Sequence, residues 1–230
     1  MPRLARIGSH ELMPEVRLGI SSLLTSDESF KAAASGRPDL SRARYQRIKR
    51  LVNQAIDAYP RPTHLLLPEL SLPERWVDTV SRLLHDAGIS LIAGLDYHHG
   101  KKPDIHSEAV LVLADDRLGF PSSVQIRQAK SLPAVGEEET LLSTFGLEWP
   151  SHLAGVRKPV YNHGGFCFGV LVCSELQNIA HRQQFQGNVD CMMVLSWNQD
   201  LETFAALVES ASLDVHAHIA LVNNRRYGDS

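Results

Sequence analysis

The sequence is poor in cysteine. Its 230 residues contain three cysteines, Cys167, Cys173 and Cys191. An odd number of thiols cannot all pair, and none has the spacing of zinc ligands. We therefore expect free thiols in a reducing compartment, the cytoplasm, and no bound metal.

The sequence also lacks a large excess of either charge and any long apolar run. Lysine and arginine number 23 against 26 aspartates and glutamates, a net charge of -3, which excludes recognition of nucleic acid or an anionic membrane by bulk charge. No apolar segment approaches the roughly 20 residues of a membrane-spanning helix. The first residues, MPRLARIGSHELMPEV, lack the apolar core of a secretory signal. We therefore expect neither a membrane nor a nucleic-acid partner.

The composition is that of a folded globular chain, with 43% hydrophobic and 21% charged residues. This length predicts one domain, residues 1–230. Residues 25–38 are small and polar, which predicts a loop. Residues 131–159 are rich in acidic residues, proline and glycine. A connection that long is usually functional or disordered.

Apolar periodicity predicts alternating strands and helices at both ends of the chain and a run of strands in the middle. The predicted strands are residues 16–24, 63–67, 89–95, 109–114, 124–129, 167–173, 191–195 and 219–222. The predicted helices are residues 40–59, 73–85, 179–185 and 201–216. This order predicts an α/β fold with helices on the sheet faces and some antiparallel pairing in the centre.

Three polar residues stand at the ends of buried apolar runs: Glu69 after HLLLP, Lys130 after SVQIRQA, and Cys173 after FGVLV. Ligands bind beside the carboxyl ends of strands in open α/β sheets. Taken alone, each residue has an ordinary structural interpretation: a solvated loop carboxylate, a surface lysine, and a core thiol. The core interpretation is weakest for Cys173, because polar residues follow it at once, whereas Cys167 and Cys191 lie inside strands and are interpreted as core.

The combination of Glu69, Lys130 and Cys173 is more specific than any one of them. A free thiol has a pKa of about 8.5 and needs help to become a nucleophile. A nearby lysine favours the thiolate, and it can stabilise an oxyanion at the attacked carbon. A nearby carboxylate can accept the thiol proton and pass it to a leaving amine.

These residues and their surroundings resemble the carbon–nitrogen hydrolase (nitrilase) superfamily. The matching segments appear in family order from about residue 16 to residue 228: LLLPEL around Glu69, Lys130 followed by Ser-Leu-Pro, GVLVCSEL around Cys173, MMVLSWN at 192–198 and ALVNNRRYG at 220–228. The resemblance implies an α-β-β-α sandwich and a homodimer to which the helix after the cysteine strand contributes. It also implies catalysis without metal or cofactor.

The resemblance further implies roles for individual residues. Glu69 corresponds to the general base, Lys130 to the oxyanion-stabilising lysine and Cys173 to the nucleophile, with the backbone N–H of Ser174 as a second oxyanion donor. A further supporting glutamate often follows the lysine in a Gly-Glu pair. Glu137 fits best, and the neighbouring register positions are Glu138 and Glu139.

The sequence departs from the family pattern after the cysteine and at its end. Ser174 stands where an aromatic residue is usual, and Glu175 replaces the commoner aspartate. The sequence stops at Ser230, directly after the last motif, so we expect the usual C-terminal strands to be missing. Further polypeptide or a partner subunit would then complete the sheet. The chain would be either a shortened member of the family or one module of a longer protein, as nitrilase-like domains are on certain bacterial reverse transcriptases linked to phage defence.

The leading hypothesis is a thiol-dependent hydrolase of a small non-peptide amide, with a nitrile as the less common substrate, acting through a cysteine thioester. One alternative is a nitrilase-fold interaction or oligomerisation module with little or no catalysis. A third hypothesis, acyl transfer to an amine, ranks last because the branches that do this are embedded in membranes.

Overall fold

The computed structural model describes residues 3–8, 12–228 and 230. The first residues, for which no secretory signal is predicted, lie partly outside these ranges. The helices are α1 (Asp27–Ala34), α2 (Arg42–Asp57), α3 (Val77–Asp86), α4 (Glu137–Phe145), α5 (Ile179–Gln183) and α6 (Leu201–Val215). Short 3-10 helices cover Glu74–Trp76, Ser151–Leu153 and Cys173–Gln177.

The strands of the described residues form two five-stranded sheets and a small hairpin. The first sheet has the order β2 (Leu18–Ile20), β3 (His64–Leu72), β4 (Ser90–Leu95), β7 (Glu108–Asp115), β8 (Ser122–Ala129). The second sheet has the order β1 (Leu4–Ile7), β9 (Val160–His163), β10 (Phe166–Val172), β11 (Cys191–Ser196), β12 (His218–Asn223). The hairpin pairs β5 (His98–His99) with β6 (Ile105–His106).

Both sheets are mixed. In the first, β2, β3 and β4 are parallel, and β7 and β8 join antiparallel. In the second, β10, β11 and β12 are parallel, as are β1 and β9, while β9 runs antiparallel to β10. The antiparallel pairs of the first sheet lie in the middle of the chain, as predicted from the run of strands without intervening helices.

The two sheets pack face to face, with helices on their outer faces. Alternate residues of a strand point to opposite faces. Accordingly, Leu66 packs in the core that also holds Val170 and Met193 of the second sheet, whereas Leu65 packs with Val52 of α2 on the outer side. Helix α6 joins the core of the second sheet in the same way. The predicted α-β-β-α sandwich is therefore confirmed.

The helix boundaries follow local capping chemistry. Ser41 precedes α2, and its hydroxyl accepts a hydrogen bond from the backbone N–H of Arg44. Gly88 follows α3 with a φ of 73°, a left-handed conformation that glycine adopts without a Cβ penalty.

The predicted loop over residues 25–38 is wrong, because α1 occupies Asp27–Ala34. Ser26 caps this helix by accepting from the N–H of Ser29, and two acidic residues in the first turn favour the positive end of its dipole. Small residues that look like a loop in sequence let the helix pack closely, and Ala33 and Ala34 are buried.

The prediction that the strand at residues 63–67 stops at proline is also wrong. Strand β3 continues to Leu72, and its register with β4 shifts between Leu67 and Leu72. Pro68 has no N–H to donate, and the irregular pairing removes the need for one. Two further differences are smaller. The strand predicted at residues 16–24 is shorter and covers only Leu18–Ile20, and the segment 131–159, predicted as a long connection, contains α4.

None of the helices in the described residues combines the length and apolarity that crossing a membrane requires.

Candidate active site

The structure brings together the three strand-end residues that the sequence singled out. The Nζ atom of Lys130 lies 2.9 Å from Oε1 of Glu69, and the Cys173 thiol lies near enough to the same carboxyl group to influence its pKa. All three residues are buried. The solvated-carboxylate interpretation of Glu69 and the surface interpretation of Lys130 are therefore wrong.

Each of these residues reaches the site from a different strand. Glu69 lies in the irregular part of β3, where the next residue, Leu70, has a φ of 54°. Lys130 directly follows β8 in the same sheet. Cys173 follows β10 of the second sheet and begins a 3-10 helix with a φ of 47°, a rare conformation for a residue with a side chain. Such outliers concentrate at functional sites.

Glu137 completes the group. This first residue of α4 places Oε2 2.6 Å from Nζ of Lys130 and accepts the backbone N–H of Ala134. Glu138 and Glu139, the two register alternatives, are exposed. The geometry therefore selects Glu137 as the glutamate beside the lysine.

The sulfur of Cys173 receives a hydrogen bond from the second sheet. The hydroxyl of Ser196 lies 3.7 Å from the sulfur, and the nearby backbone N–H of Trp197 acts to lower the pKa of the thiol. Ser174 lies in the first turn of the 3-10 helix, where N–H groups have no partner within the helix. Its hydroxyl donates a hydrogen bond to the carbonyl of Leu132, which fixes the serine side chain.

The pKa values of the four groups are pushed in different directions. Burial and the Glu69 carboxylate together raise the pKa of the Cys173 thiol to about 12, although the charge of Lys130 opposes both. Burial raises the pKa of Glu69, against the opposing charge of Lys130, and Glu137 adds to the rise. Burial also acts on Glu137, but Lys130 and the N–H of Ala134 outweigh it and lower its pKa. Although burial opposes it, the charges of Glu137 and Glu69 raise the pKa of Lys130.

These directions assign a resting protonation state. The thiol is protonated, Lys130 is charged and Glu137 is ionised as its counterion. Glu69 is the carboxyl group whose pKa is raised, and it shares the cleft with the thiol. Two neighbouring carboxyl groups with separated pKa values are the arrangement in which one exchanges protons and the other stays charged.

Two aromatic residues of the site were not among those predicted from the sequence. The hydroxyl of Tyr97 donates to Oε1 of Glu137 at 2.6 Å, and the ring of Trp149 lies 5.5 Å from Nζ of Lys130. Tyr97 stands two residues beyond β4, so the strand-end rule that found the other residues could have found it. Trp149 lies in the segment 131–159, which gave no pattern.

The site opens into a cleft of about 490 Å³. Its lining combines charged and polar groups with four aromatic side chains, Phe30, Tyr97, Trp197 and Tyr227. The ring of Phe30 meets those of Tyr97 and Trp197 edge to face. At the rim, Asp27 of α1 pairs with Arg226 from the motif near the chain end. An apolar pocket with a few convergent polar groups is typical of a small-molecule site.

In the ranges that the structure describes, His, Cys, Asp and Glu side chains form no group of three that could hold a metal ion. All three cysteines are free thiols. Cys191 is buried as predicted, whereas Cys167 is only partly buried at the edge of the core.

Solved structures with a similar fold are amidases. An amidase from Nesterenkonia sp. aligns over 94% of this chain and 77% of its own, at 18% identity and a TM-score of 0.61. A cysteine-to-alanine mutant of the Nesterenkonia AN1 amidase, described as a member of the nitrilase superfamily, gives the same values. A glutamate-to-glutamine mutant, showing covalent addition of the acetamide moiety of fluoroacetamide at the active-site cysteine, aligns over 94% and 77% at 17% identity and a TM-score of 0.60. No family model matches the sequence, and no curated protein is significantly similar to it.

Proposed function

Since the chain has the fold of the nitrilase-superfamily amidases, we propose that it is a thiol-dependent carbon–nitrogen hydrolase acting on small non-peptide amides. The observation that carries this proposal is the buried ion pair of Lys130 with Glu69, which lines the same cleft as the Cys173 thiol and influences its pKa. A nucleophile beside its base and a fixed cation is the arrangement that covalent acyl transfer requires.

The first step is attack of the Cys173 sulfur on the amide carbon. The thiol proton passes to the Glu69 carboxylate as the S–C bond forms, and negative charge develops on the amide oxygen. Lys130 is charged at the site, and the N–H of Ser174 lies at the adjacent helix turn. Both are suited to stabilise that oxygen, as preorganised donors do in oxyanion holes.

The second and third steps return the site to its starting state. The C–N bond breaks as Glu69 gives its proton to the departing nitrogen, which leaves as ammonia or an amine, and a thioester remains on Cys173. Glu69 then takes a proton from water, which attacks the thioester carbon. The C–S bond breaks, the acid is released, and the sulfur recovers a proton. The raised pKa of Glu69 suits a group that alternates between base and acid.

An amide is preferred to a nitrile because the similar solved structures are named amidases, one of them with acetamide added at its cysteine. The cleft volume and aromatic side chains favour a small, partly apolar acyl group.

The test is the Cys173→Ala variant, with Cys167→Ala as the matched control. Ammonia release from a panel of short amides should disappear in the first variant and persist in the second, because only the first lacks the proposed nucleophile. Fluoroacetamide should leave a covalent adduct on the wild type and on the control, as seen by mass spectrometry. Unchanged ammonia release by Cys173→Ala would contradict the proposal, and no ammonia release by the wild type would favour the interaction module.

A further inference from the structure

A buried ion pair lies behind the site and outside the cleft lining. Nζ of Lys158 is 2.6 Å from Oε1 of Glu175, and the two side chains are 1% and 0% exposed. Burying two charges costs several kcal/mol per ion unless the geometry and the remaining hydrogen bonds compensate. The remaining hydrogen bonds of this pair must therefore offset the cost of burying both charges.

The partners of this pair are the backbone groups on either side of Lys130. Oε1 of Glu175 accepts both the N–H and the hydroxyl of Ser131, each at 2.7 Å. Nζ of Lys158 donates to the carbonyl of Ala129. The residues immediately before and after Lys130 are thus held by one ion pair.

The same carboxylate also holds the backbone just before Cys173. Oε2 of Glu175 accepts the N–H of Val172 at 2.9 Å. Glu175 itself lies in the 3-10 helix that begins at Cys173. The corner at which Cys173 takes its left-handed conformation is therefore closed by the carboxylate that also binds Ser131.

The ion pair matters because Lys130 and Cys173 belong to different sheets. Lys130 follows β8 of the first sheet, and Cys173 follows β10 of the second. No ladder of backbone hydrogen bonds in the described residues joins the two sheets. Their separation near the site is fixed by side chains, and Gln128, which donates to the carbonyl of Val170, is a second such bridge. A displacement of about 1 Å between reacting groups can cost a hundredfold in rate.

We propose that Lys158 and Glu175 are positioning residues that set Lys130 against the Cys173 thiol by joining the ends of β8 and β10. The proposal rests on the proposed amide hydrolysis for its readout in turnover. Neither residue contacts the cleft, so the pair acts through the backbone that it holds.

The test is the Lys158→Met variant, which keeps most of the side-chain length and removes the ammonium group. We expect kcat to fall about ten- to a hundredfold while KM changes little, because positioning of the reacting groups is lost and the cleft walls are not. We also expect slower alkylation of Cys173 by iodoacetamide, measured by mass spectrometry, because Glu69 and Lys130 no longer assist loss of the thiol proton. If the unpaired Glu175 prevents folding, the Lys158→Met/Glu175→Gln double variant, which buries no unpaired charge, takes its place.

The control for stability alone is Val52→Ala in α2, on the outer face of the first sheet. It should lower the melting temperature and leave kcat and the alkylation rate unchanged. A folded Lys158→Met protein with wild-type kcat, or an equal fall of kcat in Val52→Ala, would overturn the positioning proposal. If the wild type hydrolyses no amide, only the proposed function is refuted. In that case, an unchanged alkylation rate in Lys158→Met would still refute the positioning proposal.

Discussion

The pKa values of the two glutamates that contact Lys130 are shifted in opposite directions. Glu69 and Glu137 both contact Nζ of Lys130, at 2.9 and 2.6 Å. Glu137 also accepts from Tyr97 and from the N–H of Ala134, and hydrogen bonds to the charged form lower a carboxyl pKa. Glu69 has fewer such donors, and its pKa is raised by burial and by the neighbouring charge. The number of donors at each carboxylate therefore separates the two roles.

Replacing Glu137 by Gln should change the pH dependence of catalysis. The charge of Glu137 contributes to the raised pKa of Glu69, so its removal lowers that pKa. If Glu69 acts as a base, the acidic limb of the kcat/KM profile should move to lower pH. We also expect kcat to fall about a hundredfold, because Lys130, the proposed oxyanion donor, is held less well. The exposed Glu138→Gln is the matched control, and a profile that shifts equally in both variants would refute this account.

At the residue level, the sequence was sufficient to single out Glu69, Lys130 and Cys173 as candidates, because each follows a recognisable apolar run. It was insufficient for Trp149 and Lys158, and for Tyr97 it offered a position beyond a strand end but no indication of the partner. Their contacts join segments tens of residues apart, and nothing in the local pattern of an aromatic or a lysine indicates which distant group it will meet. The buried pairing of Lys158 with Glu175 is the clearest case, since a lysine before a proline looks like surface.

At the level of secondary structure, the irregular part of β3 decides where Glu69 points. Leu70 has a left-handed φ, and the pairing with β4 shifts register around it. Arg44 of α2 stabilises this conformation by donating to the carbonyls of Leu70 and Ser71 and pairing with Asp96. The bulge therefore depends on a neighbouring helix as well as on its own residues.

Gly94 of β4 allows the bulge to approach closely. A Cβ atom at this position would lie 2.6 Å from the carbonyl oxygen of Pro68 and would also collide with the backbone of Glu69. Gly94→Ala should therefore displace Glu69, lower the free energy of unfolding by about 1–3 kcal/mol and reduce kcat at least about tenfold. Chemical denaturation and steady-state kinetics measure the two effects.

Gly19→Ala in β2 of the same sheet is the control. There the atoms nearest to a Cβ would be side-chain atoms of Pro62 and Leu65, at 3.1 to 3.3 Å, so the approach is less close than at Gly94 and involves no backbone atom among the nearest three. Its stability cost should be smaller, and its kcat should equal that of the wild type. Wild-type kinetics in Gly94→Ala would show that the close approach does not position Glu69.

For the whole molecule, a pair of histidines links the two sheets through their buried interface. Nε2 of His64 in β3 lies 2.9 Å from Nδ1 of His163 in β9, whose Nε2 faces the carbonyl of Ala114 at 2.8 Å. A carbonyl can only accept, so Nε2 of His163 carries hydrogen and the neutral pair is hydrogen-bonded in one direction. Protonation of both rings would place two hydrogens between them.

The pair predicts loss of stability in mild acid. Burial, assisted by His163, lowers the pKa of His64 from 6.5 to about 3. The unfolded chain therefore binds a proton that the folded chain does not, and stability present above pH 6.5 is lost as the pH falls towards 3. At about 1.4 kcal/mol per pH unit, the free energy of unfolding should fall by about 2 kcal/mol between pH 6.5 and 5.

Urea denaturation at several pH values measures this slope. His64→Leu should flatten it, even if the variant is less stable at neutral pH, and the exposed His218→Gln should leave it unchanged. A slope that persists in His64→Leu would assign the acid sensitivity to other groups.

The extent of the domain, the cytoplasmic location and the homo-oligomer stay predictions.

The sequence by itself predicted the alternation of strands and helices from local periodicity, and it singled out Glu69, Lys130 and Cys173 by their positions at strand ends. The sandwich of two sheets was expected from the resemblance to the nitrilase superfamily. Tertiary structure decided which glutamate after Lys130 joins it, how Glu69 lies within an extended β3, and the burial of Lys158 with Glu175. It also turned a small polar segment into α1, whose Phe30 lines the cleft. The physical reason is that hydrogen bonds and close approaches between distant segments set the protonation and position of these groups, and such contacts have no local signature.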